Sequence, residues 1–308
     1  MIQKTSAKNK QPPVILITGK NGQVGWELQR SLMPLGTLVV CGRQEMDLSN
    51  SDSIVKVLRE IKPDIIVNAA AYTAVDKAEE ETTLATQVNE VAPAVMAEEA
   101  HRLGALLLHY STDYIFDGQK IGSYIESDKP NPISCYGHSK LAGERAVQSS
   151  EADAVILRTS WVYAAREHNF LRTIFRLIQE REELRIVADQ IGAPTWACLI
   201  ADTTAHVIRQ SYIERMSGNF NSDLYHLTSS GETSWHGFAK SIAEIAKTIL
   251  PDEELKLRYL EAISTDEYPA AAARPINSRL STAKLSMHFS LNMPEWRDEL
   301  ELCMRDLI

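Results

Sequence analysis

Two rhythms alternate along the chain: short uninterrupted apolar runs, and stretches whose apolar residues recur every three or four positions. VILIT at 14–18 is followed by Val24, Leu28 and Leu32 at four-residue spacing and then by TLVVC at 37–41, which reads as strand, helix, strand. Ser and Asp residues near 49–53 announce the next helix, Ile54, Val57, Leu58 and Ile61 give it one apolar face, and Pro63 stops it ahead of DIIVNAAA at 64–71. The spacing then predicts one long helix over 75–101, a strand at ALLLHYS (105–111), a loop rich in Gly, Asp and Pro over 117–134, a helix near 135–149 and a strand at AVILRTS (154–160). Continuous apolar strands need cover on both faces. An α/β fold with a doubly wound parallel sheet follows.

Beyond residue 161 the periodicity breaks into shorter elements: helices near 169–181 and 199–211, a loop DQIGAPT at 189–195, and a helix from Trp235 to Leu250. This half is expected to form a smaller C-terminal α/β substrate lobe, with some segments returning to the first domain. Residues 1–13 are polar and end in proline, so they are expected to be a flexible leader. That leaves 14–160 as the cofactor-binding domain and 161–308 as mainly the substrate lobe. The acidic run Glu79–Glu81 reads as a solvated helix face.

Composition narrows the function classes. With 308 residues the chain can bury a sizeable core without disulfide or metal staples. A net charge of −9 and the lack of a basic stripe argue against nucleic acid as a partner. No apolar run approaches the roughly 18 residues of a membrane span, so no membrane partner is expected. Cys41, Cys135, Cys198 and Cys303 lie far apart without a CxxC pair, and the N-terminus has no apolar signal region. A reducing cytoplasm fits best.

The first strand runs straight into Gly19-Lys20-Asn21-Gly22-Gln23-Val24-Gly25, a GxxGxxG arrangement. Three glycines can simply make a turn, but between the first strand and first helix of a βαβ unit they suit a pyrophosphate held by helix N-terminal amides. The fold class is therefore a Rossmann-type sheet. At the end of the second strand, where an acidic residue usually binds the adenosine ribose, Cys41-Gly42-Arg43 offers no carboxylate and one guanidinium. Arg43 is either a surface cation or a partner for a 2′-phosphate; the second reading favours NADPH while leaving NADH possible. Asp47 either faces the adenine or caps the next helix.

Tyr136 and Lys140 are four residues apart, hence neighbours on one helix face. A nearby ammonium favours a phenolate and would bring a tyrosine towards acid–base service at neutral pH. Alone the pair reads as an amphipathic tyrosine beside a snorkelling lysine; behind a glycine turn and a run of parallel strands it gains meaning. Ser111 and Thr112 lie where ALLLHYS ends, and ligands of open α/β sheets bind beyond the carboxyl ends of the strands. A Thr112 hydroxyl there either caps a turn or reaches the same carbonyl oxygen as Tyr136.

TGKNGQVG, VNAAAYTAVDKAE, STDYIFDG, YGHSKLAGE, RTSWVY, DQIGAPT and RPINSRL, in that order, resemble the dTDP-4-dehydrorhamnose reductase family of extended short-chain dehydrogenases, from Val14 to the C-terminus. The resemblance implies that Gly22, Gln23 and Val24 cradle the cofactor pyrophosphate and that Asp47 and Leu48 contact adenine. It further implies that Ala70, Ala71, Tyr72 and Thr73 wall the ribose and nicotinamide, and that Tyr110 lines the cofactor. It makes Tyr136 the general acid, Lys140 the ribose-holding residue that tunes it, Thr112 a donor to the substrate carbonyl, and Asp113 and Trp161 substrate contacts. A strand-end aromatic such as Trp161 is otherwise core. The implied reaction is NADPH-dependent reduction of the C4 ketone of a dTDP-4-dehydro-6-deoxy sugar, giving dTDP-L-rhamnose for cell-surface polysaccharide.

Some relatives dimerise through magnesium held by three carboxylates. Glu27 matches the first position, but Cys198 stands at the second and Arg297 at the third, and one carboxylate does not hold a hard cation. No metal site is therefore expected, and the chain is expected to be a monomer or weak homodimer. Tyr114 stands where dehydratases carry glutamate, which disfavours dehydration. The alternatives are a nucleotide-sugar epimerase or reductase of the same superfamily, or a non-catalytic NADP-binding subunit resembling the regulatory subunit of methionine adenosyltransferase.

Overall fold

The computed structural model describes residues 11–251 and 254–307. The expected leader therefore lies outside the described residues except for 11–13, and Pro13 is tied in, its carbonyl accepting the Thr37 amide at 2.9 Å.

The first half follows the apolar runs: β1 (Val14–Thr18), α1 (Gln23–Leu32), β2 (Thr37–Cys41), α2 (Ser51–Ile61) and β3 (Ile65–Asn68). The single helix expected over 75–101 is broken into α3 (Val75–Ala78), α4 (Thr82–Thr86), a π-helical turn at Gln87–Val91 and α5 (Ala92–Leu103). Two residues shape the π-helical turn. Pro93 lacks the amide that would continue the ladder, and Asn89 turns its side chain onto the backbone of Tyr72. β4 (Leu106–Thr112), a 3-10 turn at Asp113–Ile115, α6 (Cys135–Gln148) and β5 (Ala154–Thr159) complete this half.

The second half contains β6 (Val162–Tyr163), α7 (Phe170–Glu180), β7 (Glu183–Val187), β8 (Ile191–Gly192), β9 (Thr195–Trp196), α8 (Ala197–Ser217) and β10 (Asp223–His226). β11 (Thr233–Ser234), α9 (Trp235–Ile249), β12 (Tyr259–Ile263), α10 (Ala283–Phe289) and α11 (Trp296–Arg305) follow.

Six parallel strands form the central sheet in the order β10-β5-β4-β3-β1-β2. The reversal of order beside β1 puts the ligand crevice at the carboxyl ends of β1, β3 and β4. One face packs Ile15, Ile17, Leu106 and Leu108 against Leu28 of α1 and Ile200, Val207 and Ile208 of α8; the other packs Leu16, Ile66 and Leu107 against α2 and α5. Both α8 and β10 come from beyond residue 161. A third cluster, built from α7, α9 and α11 around Phe238, Leu171 and Leu300, forms the core of the other lobe, where β12 pairs in parallel with β7. Among the described residues no helix is long and apolar enough to cross a membrane.

Candidate active site

The chain leaves β1 at Thr18, takes a left-handed step at Gly19 (φ +77°) and closes its turn with the Gly22 amide on the Gly19 carbonyl at 2.9 Å. α1 starts from Gly22 without a side-chain cap, so its first amides are open to a ligand anion. A Cβ on Gly25 would stand 2.0 Å from the Gly19 carbonyl oxygen, so only glycine lets the helix start this close to the strand end. Beside this turn lies a cavity of about 320 Å³ walled by residues 18–22, 41–43, 46–48, 70–71 and Val88. It gathers Gly19, Gly22, Arg43, Asp47, Leu48, Ala70 and Ala71 around one space. This is a cradle of dinucleotide type: an amide-rich turn, an apolar wall and an exposed cation.

The other expected cofactor residues stand at its margins. Gln23 accepts a hydrogen bond from Asn169 at 3.0 Å, and Val24 packs on the core beneath α1. The Tyr72 amide donates to Asn89 Oδ1 at 2.8 Å and its carbonyl accepts from Asn89 Nδ2 at 3.0 Å, which fixes the path from Ala70 to Thr73. Tyr110 is buried, its hydroxyl 2.6 Å from Thr204 of α8. Its carbonyl is what faces α6. Asp47 does not cap α2; Asn50 does, while Asp47 Oδ1 accepts from the Ser49 amide and hydroxyl, which hold its carboxyl below the usual range. The strand end is also not free of carboxylate. Glu45 folds back so that Oε2 accepts the Gly42 amide at 2.8 Å and Oε1 meets Lys20 Nζ at 3.3 Å.

α6 carries the second group. Ser134 caps it, and Asn89 donates to Ser139 at 3.0 Å, so the turn that clamps Tyr72 also clamps this helix. Tyr136 and Lys140 are both buried on its inner face, and Lys140 Nζ donates to the Tyr110 carbonyl at 2.6 Å. Thr112, at the end of β4, faces the Tyr136 phenol and eases its ionisation. The structure thus brings the expected threonine, tyrosine and lysine together. It does not show the ammonium lowering the phenol: burial pushes Tyr136 up, while burial pulls Lys140 down to about 8. Thr112 Oγ1 donates to Asp113 Oδ1 at 3.0 Å, and burial raises the Asp113 carboxyl to about 6 against hydrogen bonds from Ser278 and Thr112.

Reading single motifs missed the ring behind this group. Tyr114 meets Tyr136 edge-on, ring centroids 5.5 Å apart, and burial raises its phenol to about 12. Arg274, half-buried, pairs with Asp76 at 2.7 Å and hydrogen-bonds Tyr114. Trp161 is not a core residue. It sits in the left-handed region (φ +48°), partly exposed, stacked on Trp235 at 3.6 Å, a strained backbone held in place by its surroundings. Trp235 and Arg274 line a cavity of about 410 Å³ with Phe170, Gln190 and Tyr268.

Elsewhere, Glu27 and Cys198 line a groove of about 1400 Å³. Arg30 stands between them, 3.9 Å from Glu27, 2.9 Å from Cys198 Sγ and 3.0 Å from Asp202, whereas Arg297 pairs with Glu244 at 2.6 Å.

The family model described as RmlD substrate binding domain matches residues 13–308. A dTDP-4-dehydrorhamnose reductase of Burkholderia thailandensis is 50% identical over 294 residues, 96% of this chain and 99% of that protein. One of Escherichia coli is 45% identical, over 95% of this chain and 97% of its own length. The crystal structure of a dTDP-4-dehydrorhamnose reductase from Bacillus anthracis in complex with NADP superposes with a TM-score of 0.85 at 36% identity, covering 96% of this chain and all of that one. The fold agrees with these matches, and the chain belongs to the RmlD substrate binding domain family, the family of the dTDP-4-dehydrorhamnose reductases.

Proposed function

We propose that this protein reduces the C4 ketone of dTDP-4-dehydro-6-deoxy-L-mannose to dTDP-L-rhamnose with NADPH. The observation that carries the reading is the meeting of Thr112, Tyr136 and Lys140 at the strand ends beside an open amide cradle, in a chain half identical to a reductase of that name. The residues present fit the cofactor. Gly22, Gln23 and Val24 would offer helix-start amides to the pyrophosphate, Arg43 would meet the 2′-phosphate, Asp47 and Leu48 would border the adenine, and Ala70, Ala71, Tyr72 and Thr73 would border the ribose and nicotinamide. When bound, NADPH supplies the hydride.

Everything else is done by side chains. Charge developing on the C4 oxygen is met by the phenolic proton of Tyr136, which burial keeps on the oxygen until it is needed. Thr112 turns its hydroxyl from Asp113 to the same oxygen. Asp113 and Trp161 hold the sugar, and Arg274 is the cation at hand for the nucleotide's phosphates. Tyr114 stands where dehydratases carry glutamate, so no carboxylate is at hand there to take up a proton, which weighs against loss of water from the substrate. Residues 14–160 with α8 and β10 serve the cofactor, and the α7, α9 and α11 lobe serves the sugar nucleotide. Arg30 already balances the carboxylates of Glu27 and Asp202, so a bridging metal has no electrostatic demand to meet there; a cytoplasmic monomer or weak homodimer is the state we propose.

The test is direct: purified protein, dTDP-4-keto-L-rhamnose and stoichiometric NADPH, followed at the nicotinamide absorbance band. Consumption of NADPH only when the sugar nucleotide is present is expected. No consumption would overturn the reading.

A further inference from the structure

Beyond Tyr136 and Lys140 the inner face of α6 carries one more functional group at the same spacing. Glu144 follows Lys140 by four residues, as Lys140 follows Tyr136, so the three side chains lie along one stripe of the helix. Glu144 is fully buried, and Arg158 of β5 holds it in a bidentate pair at 2.9 and 2.7 Å with both side chains shut off from solvent. Arg158 lies over the Phe116 ring at 5.3 Å, and its Nη1 is 3.4 Å from His226 Nε2 on β10. A line of buried groups therefore runs from the site to the edge of the sheet.

Lys140 needs such a counter-ion. Its hydrogen bond goes to a neutral carbonyl, and a buried ammonium with no anion near it sheds its proton. The elements packed on α6 offer little else. From β4 come His109, held well below its usual value by burial and by Lys140, and Tyr110, pushed up by burial. Asn89 of the π turn is uncharged, and Glu79 accepts the Cys135 amide at the far end of the helix, 2.9 Å away. Asp113 and Tyr114 act on Tyr136, and His226 is kept neutral by burial and by Arg158. Among the described residues Glu144 is the carboxylate that acts on Lys140.

We infer that Glu144 is a positioning residue for the reaction: its buried carboxylate keeps Lys140 an ammonium inside the dry site, and Arg158 limits how much of that charge reaches it. Burial and Glu144 do pull on Lys140 in opposite directions, burial downwards and Glu144 upwards. The inference rests on the reading of Lys140 as the partner of Tyr136.

Two variants, each titrated by NMR of ¹³Cε-labelled lysine with the Lys140 signal assigned from Lys140→Arg, test it. Glu144→Gln removes the anion and leaves Arg158 as a bare cation, so Lys140 should titrate about 1 to 2 pH units lower. Glu144→Gln with Arg158→Gln removes both charges and the danger of an unpaired buried guanidinium, and should lower Lys140 by less. The basic limb of the kcat profile should move with the NMR value in each. If Lys140 titrates as in the wild type in the double variant, or if its value rises in either, the inference is wrong. Should Glu144→Gln not fold, the double variant decides alone. A shifted Lys140 with an unmoved kcat profile would uphold the electrostatic coupling and refute the catalytic reading of Lys140 on which its relevance depends.

Discussion

Replacing Gly25 with alanine tests the cofactor cradle at its tightest point. The added Cβ would meet the Gly19 carbonyl oxygen at 2.0 Å, its carbon at 2.7 Å and the Thr18 carbonyl oxygen at 3.2 Å, all of them backbone atoms that cannot rotate away. Ordinary carbon–oxygen contacts lie near 3.3 Å or more, so the start of α1 must retreat from β1 by about 1 Å. Overpacking of this kind costs about 1–3 kcal/mol of stability. The same retreat carries the helix-start amides away from the pyrophosphate; a hydrogen bond to a charged group is worth about 1.5–3 kcal/mol, so losing one weakens NADPH binding roughly 10- to 100-fold. Gly36→Ala is the control, because its Cβ would strike the Pro13 carbonyl oxygen at 2.1 Å in the turn leading into β2, away from the cradle. Fluorescence titration with NADPH and urea melts of both variants give the answer. Both should lose stability, and only Gly25→Ala should lose affinity. Equal losses of affinity, or none in a destabilised Gly25→Ala, would refute the reasoning.

Tyr136→Phe should lower kcat by about 10²- to 10⁴-fold and leave NADPH affinity alone, since the phenol proton is lost without touching the cradle; steady-state kinetics within tenfold of wild type would remove Tyr136 from its role. Arg43→Ala should weaken NADPH by about threefold to tenfold and leave NADH unchanged, measured as paired titrations, an exposed guanidinium being worth no more than this. A loss shared by both cofactors would count against the 2′-phosphate contact. Glu299, 3% exposed on α11 and accepting from Ser229 at 2.5 Å, is raised by burial from 4.5 to about 7. Its folded value lies above its unfolded one, so the fold binds the extra proton between those limits. Its contribution is whole below pH 4.5, declines by about 1.4 kcal/mol per pH unit, and has lost about 3 kcal/mol above pH 7. Glu299→Gln should therefore match wild type near pH 4.5 and exceed it by about 3 kcal/mol at pH 8 in urea melts, and parallel stability curves would contradict this.

The parts of this molecule that could be read from the sequence are those whose cause is local. β1 to β5 announce themselves because a strand buried on both faces has to be continuously apolar, and Tyr136 and Lys140 because a helix turns neighbours four apart onto one side. Thr112 is found from its place at a strand end. β10 escapes the same reasoning, since DLYH is no apolar run: its Asp and His are absorbed by Lys284, at 2.5 Å, and by the buried Arg158. The π-helical turn within 75–101 escapes because Asn89 is needed by Tyr72 and Ser139, partners that no periodicity reveals. Asp76 and Arg274 each fall inside a family segment, VDKAE and RPINSRL. Their union across almost two hundred residues, with Tyr114 between them, belongs to the fold alone.

The charges of the site show how an acidic protein can hold two anions. A net charge of −9 sets up no field that would draw a dinucleotide or a nucleotide sugar in from solution. The cations near the site are also mostly engaged: Lys20 with Glu45, Arg274 with Asp76, and Lys140 buried on the Tyr110 carbonyl. On the proposed reading an incoming phosphate would replace Asp76 as the partner of Arg274, and at α1 it would meet amides whose partial charge acts only over the first turn of the helix. Both are short-range contacts formed after arrival, and contacts of that kind are little screened by salt. The Michaelis constant for the sugar nucleotide should thus change by less than about threefold between 0.05 and 0.3 M salt. A steep rise over that range would mean that a field from surface charges captures the ligand, which the pairing of these cations argues against.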